Sequence, residues 1–144
     1  MRHGLAVPFF LFVILATGCA SHREARAQKR AHEEAARLAA ERWLSLLDQG
    51  DYHEAFEWKA QDFRMAQTQT QFVRYMQARR APFGNALGRK FIGAINTHKI
   101  VGVPEGNYFS VLFKTAFEKK SETAERVILV QQSVGWRVLE YRIY

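Results

Sequence analysis

The sequence predicts an α+β domain, about three helices followed by three to four antiparallel strands. Three observations carry that expectation. Apolar residues recur at three- and four-residue steps through Ala31, Ala35, Leu38, Ala39, Trp43, Leu46 and Leu47. Phe109, Val111, Phe113, Thr115 and Phe117 alternate with mostly polar neighbours, as a half-buried strand requires. Helical spacing dominates before residue 81 and strand spacing after 89, the segregation that places helices on one side of an antiparallel sheet.

In chain order, the first helix gathers strength from about Ala31, with Glu33 and Arg37 as a favourable i,i+4 pair. Asp48-Gln49-Gly50-Asp51 stops it, Gly50 being suited to a left-handed cap. A second helix is expected from about Tyr52 to Met65. A third, capped by Thr68, carries Phe72, Val73, Tyr75 and Met76. Pro82 cannot continue a helical ladder and pushes Ala81 out of helical geometry, so Arg79-Arg80-Ala81-Pro82-Phe83-Gly84 ends the helical half. Residues 89–103 read as one bent strand or a broken pair, before the turn Pro104-Glu105-Gly106-Asn107. The alternating strand comes next, then a polar hairpin loop over 119–123. Strands over 127–132 and 136–144 meet around Ser133-Val134-Gly135.

The first eighteen residues have the parts of a secretion signal. Arg2 and His3 give a basic start, and Leu5 to Leu15 is an almost wholly apolar run, short for a membrane span and broken by Pro8. Ala16-Thr17-Gly18-Cys19 follows. Small residues before a cysteine leave room for a peptidase, and the thiol can then take a diacylglycerol. This stretch resembles the lipobox of bacterial lipoproteins, with Ala16 where leucine or valine is commoner. The expectation is therefore a signal peptide over 1–18, a lipidated tether over 19–30 with Cys19 as the attachment residue, and one domain over 31–144. The membrane is the first expected partner, through several acyl chains on one residue. The expected location is the bacterial cell envelope, facing the periplasm, and Ala20 after the cysteine leans toward the outer membrane.

Composition narrows the function. Removing residues 1–18 takes away Arg2 alone and leaves 20 basic against 14 acidic residues, a net charge of +6. A basic domain attracts anionic headgroups, an acidic partner or nucleic acid; the envelope address argues against nucleic acid, and dispersed cations also read as solvated surface. The stretch Arg23–Arg42 has the same alternatives: membrane surface, partner or solvated helix face. Cys19 is the only cysteine, so lipidation leaves no disulfide, no thiolate zinc site and no thiol catalysis.

A family resemblance runs through the second part of the chain. Trp43-Leu44, Leu47-Asp48-Gln49-Gly50-Asp51-Tyr52, Phe63-Arg64, Arg80-Ala81-Pro82-Phe83-Gly84 and Arg89 carry its first half. Gly102-Val103-Pro104-Glu105-Gly106-Asn107-Tyr108, Phe113-Lys114-Thr115-Ala116-Phe117, Trp136-Arg137-Val138 and Tyr141 carry the rest. Over residues 38–144 this resembles a small bacterial envelope family known only as domain of unknown function 4019. Phe56 stands where tryptophan is usual, Phe83 replaces a leucine, and Gly88 replaces a serine before Arg89. The order of elements is similar to the cone of nuclear transport factor 2, ketosteroid isomerase and cystatin-like proteins, which implies a curved sheet around the helices and a pocket at the wide end. Fold alone supplies no activity.

The candidate sites are few. Arg79, Arg80 and Arg89 flank the Pro82 turn and suit an anion or a partner surface, since guanidinium forks bind oxyanions; cations closing a helix are the plainer reading. His98 with Asp62 or Glu140 is the nearest thing to an acid–base pair, but residues so far apart in sequence are unconstrained. His22, His32 and His53 are too scattered for a metal site. Tyr108, Phe113, Trp136 and Tyr141, with Trp58, Phe109 and Phe117, either line an apolar pocket or simply form core. No catalytic residue, metal or cofactor is expected. The expected function is a non-catalytic binding module for an envelope protein or a small apolar ligand; a small hydrolase or isomerase in the cone is the alternative.

Overall fold

The computed structural model describes residues 17–144, with side chains from residue 22 onward. The expected signal segment lies almost wholly outside the described residues, as does the side chain of Cys19. The element order is α1 (Thr17–Asp48), α2 (Tyr52–Glu57), α3 (Gln61–Met65), α4 (Gln69–Arg80), β1 (Ala86–Thr97), β2 (Tyr108–Phe117), β3 (Lys120–Gln132) and β4 (Gly135–Ile143). It is an α+β fold. No described helix is long and apolar enough to cross a membrane.

α1 is longer than expected. The stretch 19–30, expected to be a tether, is continuous with it, since from Cys19 to Gln49 there is no glycine or proline to interrupt the ladder. Among its described side chains the first buried is Ala36; Ala40, Trp43, Leu44 and Leu47 continue the inner face, and residues 22–31 are exposed. Gly50 ends it with φ 77°, its N–H donating to the Leu47 carbonyl (3.2 Å) while Asp51 N–H reaches Leu46 (2.8 Å). That pair of bonds is the Schellman cap.

The single helix expected over 52–65 is two. Trp58 to Ala60 leave helical hydrogen bonding and lie along the edge of β4. Val138 N–H donates to the Trp58 carbonyl and Ala60 N–H to that of Val138, both at 2.8 Å. Edge groups that would otherwise lack partners win over local helix propensity. α4 begins as the sequence predicts: Thr68 Oγ1 accepts from Gln71 N–H (3.2 Å), and Gln71 Oε1 accepts from Thr68 N–H (2.9 Å), a complete capping box.

The four strands form an antiparallel meander in the order β1-β2-β3-β4. β1 starts three residues earlier than expected and ends at Thr97, so 98–107 is a loop. The polar hairpin loop shrinks to Glu118-Lys119, with Phe117 paired to Lys120, because polar residues 120–123 extend the ladder beyond the apolar part of the strand. Phe109, Val111, Phe113, Thr115 and Phe117 all face the helices and are buried, as the alternation predicts. α1 packs across all four strands. Trp43 sits at the centre, fully buried, its indole N–H donating to the Ala55 carbonyl (2.9 Å) and its ring edge-on to Tyr141 at 5.3 Å.

Candidate functional site

The strongest chemistry lies under the C-terminal ends of α1 and α4. Asp48 closes α1, Arg80 closes α4, and Arg89, Thr115, Glu125 and Tyr141 come one from each strand, all directed to one point between the layers. Each strand residue is there by parity: Arg89 is in phase with buried-side Phe91, Thr115 with Phe113 and Phe117, and Glu125 with Val127 and Leu129.

Glu125 is the hub and is fully buried. Its Oε2 accepts from Arg89 Nε (2.7 Å) and Thr115 Oγ1 (2.5 Å). Its Oε1 accepts from the Tyr141 hydroxyl (2.5 Å) and, more weakly, from Arg80 Nη1 (3.4 Å). Arg80 Nη1 also donates to the Tyr141 oxygen (3.0 Å), and Nη2 to Asp48 Oδ1 (2.5 Å). Arg89 closes the circuit with two bonds to Asp48, Nη1 to Oδ2 at 2.8 Å and Nη2 to Oδ1 at 3.2 Å. Two guanidiniums thus meet two carboxylates, and the cluster is neutral. Burial opposes the charge of Arg89, but its bonds to Asp48 and Glu125 outweigh that and hold its pKa above the ordinary value. Burial, then the charge of Glu125, pushes the Tyr141 hydroxyl up as well, so it stays a donor at every physiological pH.

An open depression of about 420 Å3 adjoins the cluster, lined among others by Asp48, Gly50, Tyr52, Gln77, Arg80 and Asn85. Its charged lining, Asp48 and Arg80, is already paired. The cluster can therefore lock α1, α4 and the sheet into one arrangement, but it has no spare donor fork or unpaired carboxylate to offer a substrate.

The three-arginine anion surface is not formed. Arg80 is buried, not a surface residue, and with Arg89 is spent on the carboxylates of Asp48 and the buried Glu125. Arg79 points elsewhere, over the Tyr75 ring at 5.8 Å. An arginine beside a buried carboxylate cannot leave it unpaired without a large desolvation penalty, so the internal partners win. The aromatic set is likewise core. Phe113, Trp136 and Tyr141 are buried between helices and sheet, with edge-on contacts such as Phe109–Trp136 at 5.4 Å and Phe91–Phe113 at 6.0 Å. Tyr108, of opposite parity, is buried under the β1–β2 loop instead, its ring against Gly106 and its hydroxyl donating to the Pro104 carbonyl (2.5 Å). Phe113 and Tyr141 border two different depressions. His98 lies in the exposed β1–β2 loop, Asp62 on exposed α3, and Glu140 pairs with Arg126 and Arg142, so no acid–base pair assembles from them. Among the described residues no group of three His, Cys, Asp or Glu side chains is placed to hold a metal ion.

Sequence reading missed Asp48, Thr115 and Glu125. The signal was present in the strand parity of Glu125, two residues before Val127, but that strand was expected to begin only at Val127.

A family model described as a protein of unknown function, DUF4019, matches residues 39–141. The chain belongs to the DUF4019 family. No curated protein matches it. All six residues of the cluster around Glu125 fall inside the matched span, whereas the exposed early turns of α1 over residues 22–31 fall before it.

Proposed function

We propose that this DUF4019 protein is a secreted bacterial envelope lipoprotein, acylated at Cys19 and facing the periplasm, on the outer membrane in a host that has one. Its domain is a non-catalytic binding module. The observation that carries this reading is the sequence Ala16-Thr17-Gly18-Cys19 directly behind the apolar run Leu5–Leu15 and a basic start. The signal peptide covers 1–18, the anchored segment 19–30 and the domain 31–144. In this reading the helix-on-sheet arrangement is the cone of the nuclear transport factor 2 and cystatin-like proteins, with its wide end packed by aromatic side chains.

The non-catalytic part is supported by the cluster of Asp48, Arg80, Arg89 and Glu125. Its charges satisfy one another, whereas a catalytic site keeps a group poised for the substrate. A surface partner in the envelope suits a filled core better than a small apolar ligand does.

Two measurements test the reading. Cys19→Ser removes metabolic labelling by palmitate and leaves a precursor of unchanged length; a variant still cut and labelled contradicts the anchor. Cross-linking in cells followed by purification recovers the same envelope protein in repeated experiments; recovery of no reproducible partner contradicts the module.

A further inference from the structure

We propose that the end of the domain formed by the first turns of α1 and the β1–β2 loop docks on an anionic lipid bilayer, with Val101 as the side chain that enters it. The proposal rests on the anchor at Cys19 set out above and adds an orientation to it.

The two elements share one end of the fold because α1 runs antiparallel to β1. At the far end Asp48 binds Arg89, and midway the Arg37 guanidinium lies over Phe91 at 5.8 Å. Near the start of α1, Lys29 and His32 face Asn96 and His98 across a depression of about 360 Å3. The loop 98–107 follows. Gly106 N–H donates to the His98 carbonyl (3.0 Å) and closes its base. Val103 N–H donates to Ile100 (3.3 Å), a tight turn with Gly102 at φ 81°. That turn puts Val101 at the tip, 101% exposed, where turn chemistry ordinarily places a polar residue.

One exposed valine is unremarkable by itself; its surroundings give it meaning. Val101 stands three residues beyond His98, a reach of about 10 Å at full extension. Arg23 stands six residues before Lys29, about 9 Å along the helix. The loop tip and the first turns of α1 therefore belong to the same end of the fold, and Cys19 lies one helical turn before Arg23. Residues 22–32 and the loop 98–107 carry five Lys or Arg (Arg23, Arg26, Lys29, Arg30, Lys99) against Glu24 and Glu105. Arg23, Arg26 and Arg30 lie at i, i+3 and i+7, on one exposed stripe. Arg37, further along, is clamped by Glu34 and Glu41, whereas no carboxylate among the described residues pairs with those three.

An acyl chain at Cys19 brings these cations to the headgroups, where each adds roughly a fivefold preference for an anionic surface. A single apolar side chain among cations has too little area for a protein interface but is enough for shallow insertion beside an anchor already in the membrane.

The test uses the full chain carrying Val101→Cys, labelled with an environment-sensitive fluorophore and reconstituted into vesicles. The acyl group on Cys19 blocks its thiol and is read by mass; if it is missing, the anchor reading fails, and the loop is assayed in a Cys19→Ser background. In phosphatidylglycerol-containing vesicles the label is expected to shift to the blue and to be quenched by lipid-borne quenchers. In phosphatidylcholine vesicles it stays water-like. Replacing Arg23, Arg26 and Arg30 with Gln lowers the docked fraction's equilibrium by roughly 100-fold, and raised salt does the same. A label that remains water-like on anionic vesicles overturns the proposal. So does insertion indifferent to lipid charge and to the three arginines, and so does protection of the loop only when an acidic protein is added.

Discussion

Glu125→Gln tests whether the buried cluster holds the layers together. The substitution keeps the shape of the side chain and removes one negative charge from a neutral set of two guanidiniums and two carboxylates. It also replaces one acceptor oxygen with an NH2 group, which must then face either Arg89 and Thr115 or Arg80 and Tyr141, donors on both sides. Breaking one partner of a buried, hydrogen-bonded ion pair costs about 3–5 kcal/mol. A domain of this size is stable by about 5–15 kcal/mol. With a urea slope near 2 kcal/mol/M, the unfolding midpoint falls by about 2 M. Trp43, buried against Tyr141, reports the transition through its emission. Adding Arg80→Met to Glu125→Gln removes the unpaired charge, so the second change costs much less than Arg80→Met alone. A loss under about 1 kcal/mol for Glu125→Gln, the value of an exposed pair, refutes the reasoning, as does simple additivity of the double variant.

One further outcome concerns the same cluster and two concern contacts elsewhere in the fold. Because the pKa of Tyr141 is raised on folding, its contribution is fully present below the ordinary phenol pKa of about 10 and is lost as pH rises toward the folded value. Tyr141→Phe thus lowers stability at neutral pH by about 1–3 kcal/mol and flattens the decline above pH 10, read from urea midpoints against pH; an unchanged alkaline limb contradicts it. Gly84 has φ 74°, and an added Cβ would approach the Glu118 carboxylate oxygen at 2.7 Å, so Gly84→Ala is expected to cost about 1–3 kcal/mol by thermal unfolding; a neutral result contradicts the strained turn. Thr68→Ala removes half of the capping box and costs about 1 kcal/mol, with faster amide exchange at the start of α4 as its local sign. Unchanged exchange there argues against the cap.

Much of the fold was legible where one physical signal dominates. The period-two run from Phe109 to Phe117 fixed both a strand and its buried face, and Gly50 and Thr68 marked helix ends through requirements that few residues meet. Legibility failed where tertiary pairing overrode local pattern. Nothing local in Trp58-Lys59-Ala60 announces that its backbone will cover the edge of β4, and Lys120 to Thr123 look like a loop until the ladder beside them is seen. The candidate site failed for a related reason. Arg80 and Arg89 were singled out for their charge, but the carboxylates they bind, Asp48 and Glu125, stand 32 and 36 residues away in sequence. Without them the arginines read as a surface. The aromatic residues were ambiguous between pocket and core; Phe109, Phe113, Phe117, Trp136 and Tyr141 share one core with residues of α1 and α2, while Tyr108 is covered by the β1–β2 loop.

Anchoring through Cys19 is tested most directly by the mass of the N-terminal peptide after extraction from the membrane fraction of the producing bacterium. The expected result is a peptide beginning at Cys19, with a diacylglyceryl group on sulfur and an acylated or free amine. A peptide that runs uncut through Gly18-Cys19, or that begins at Cys19 with an unmodified thiol, contradicts it.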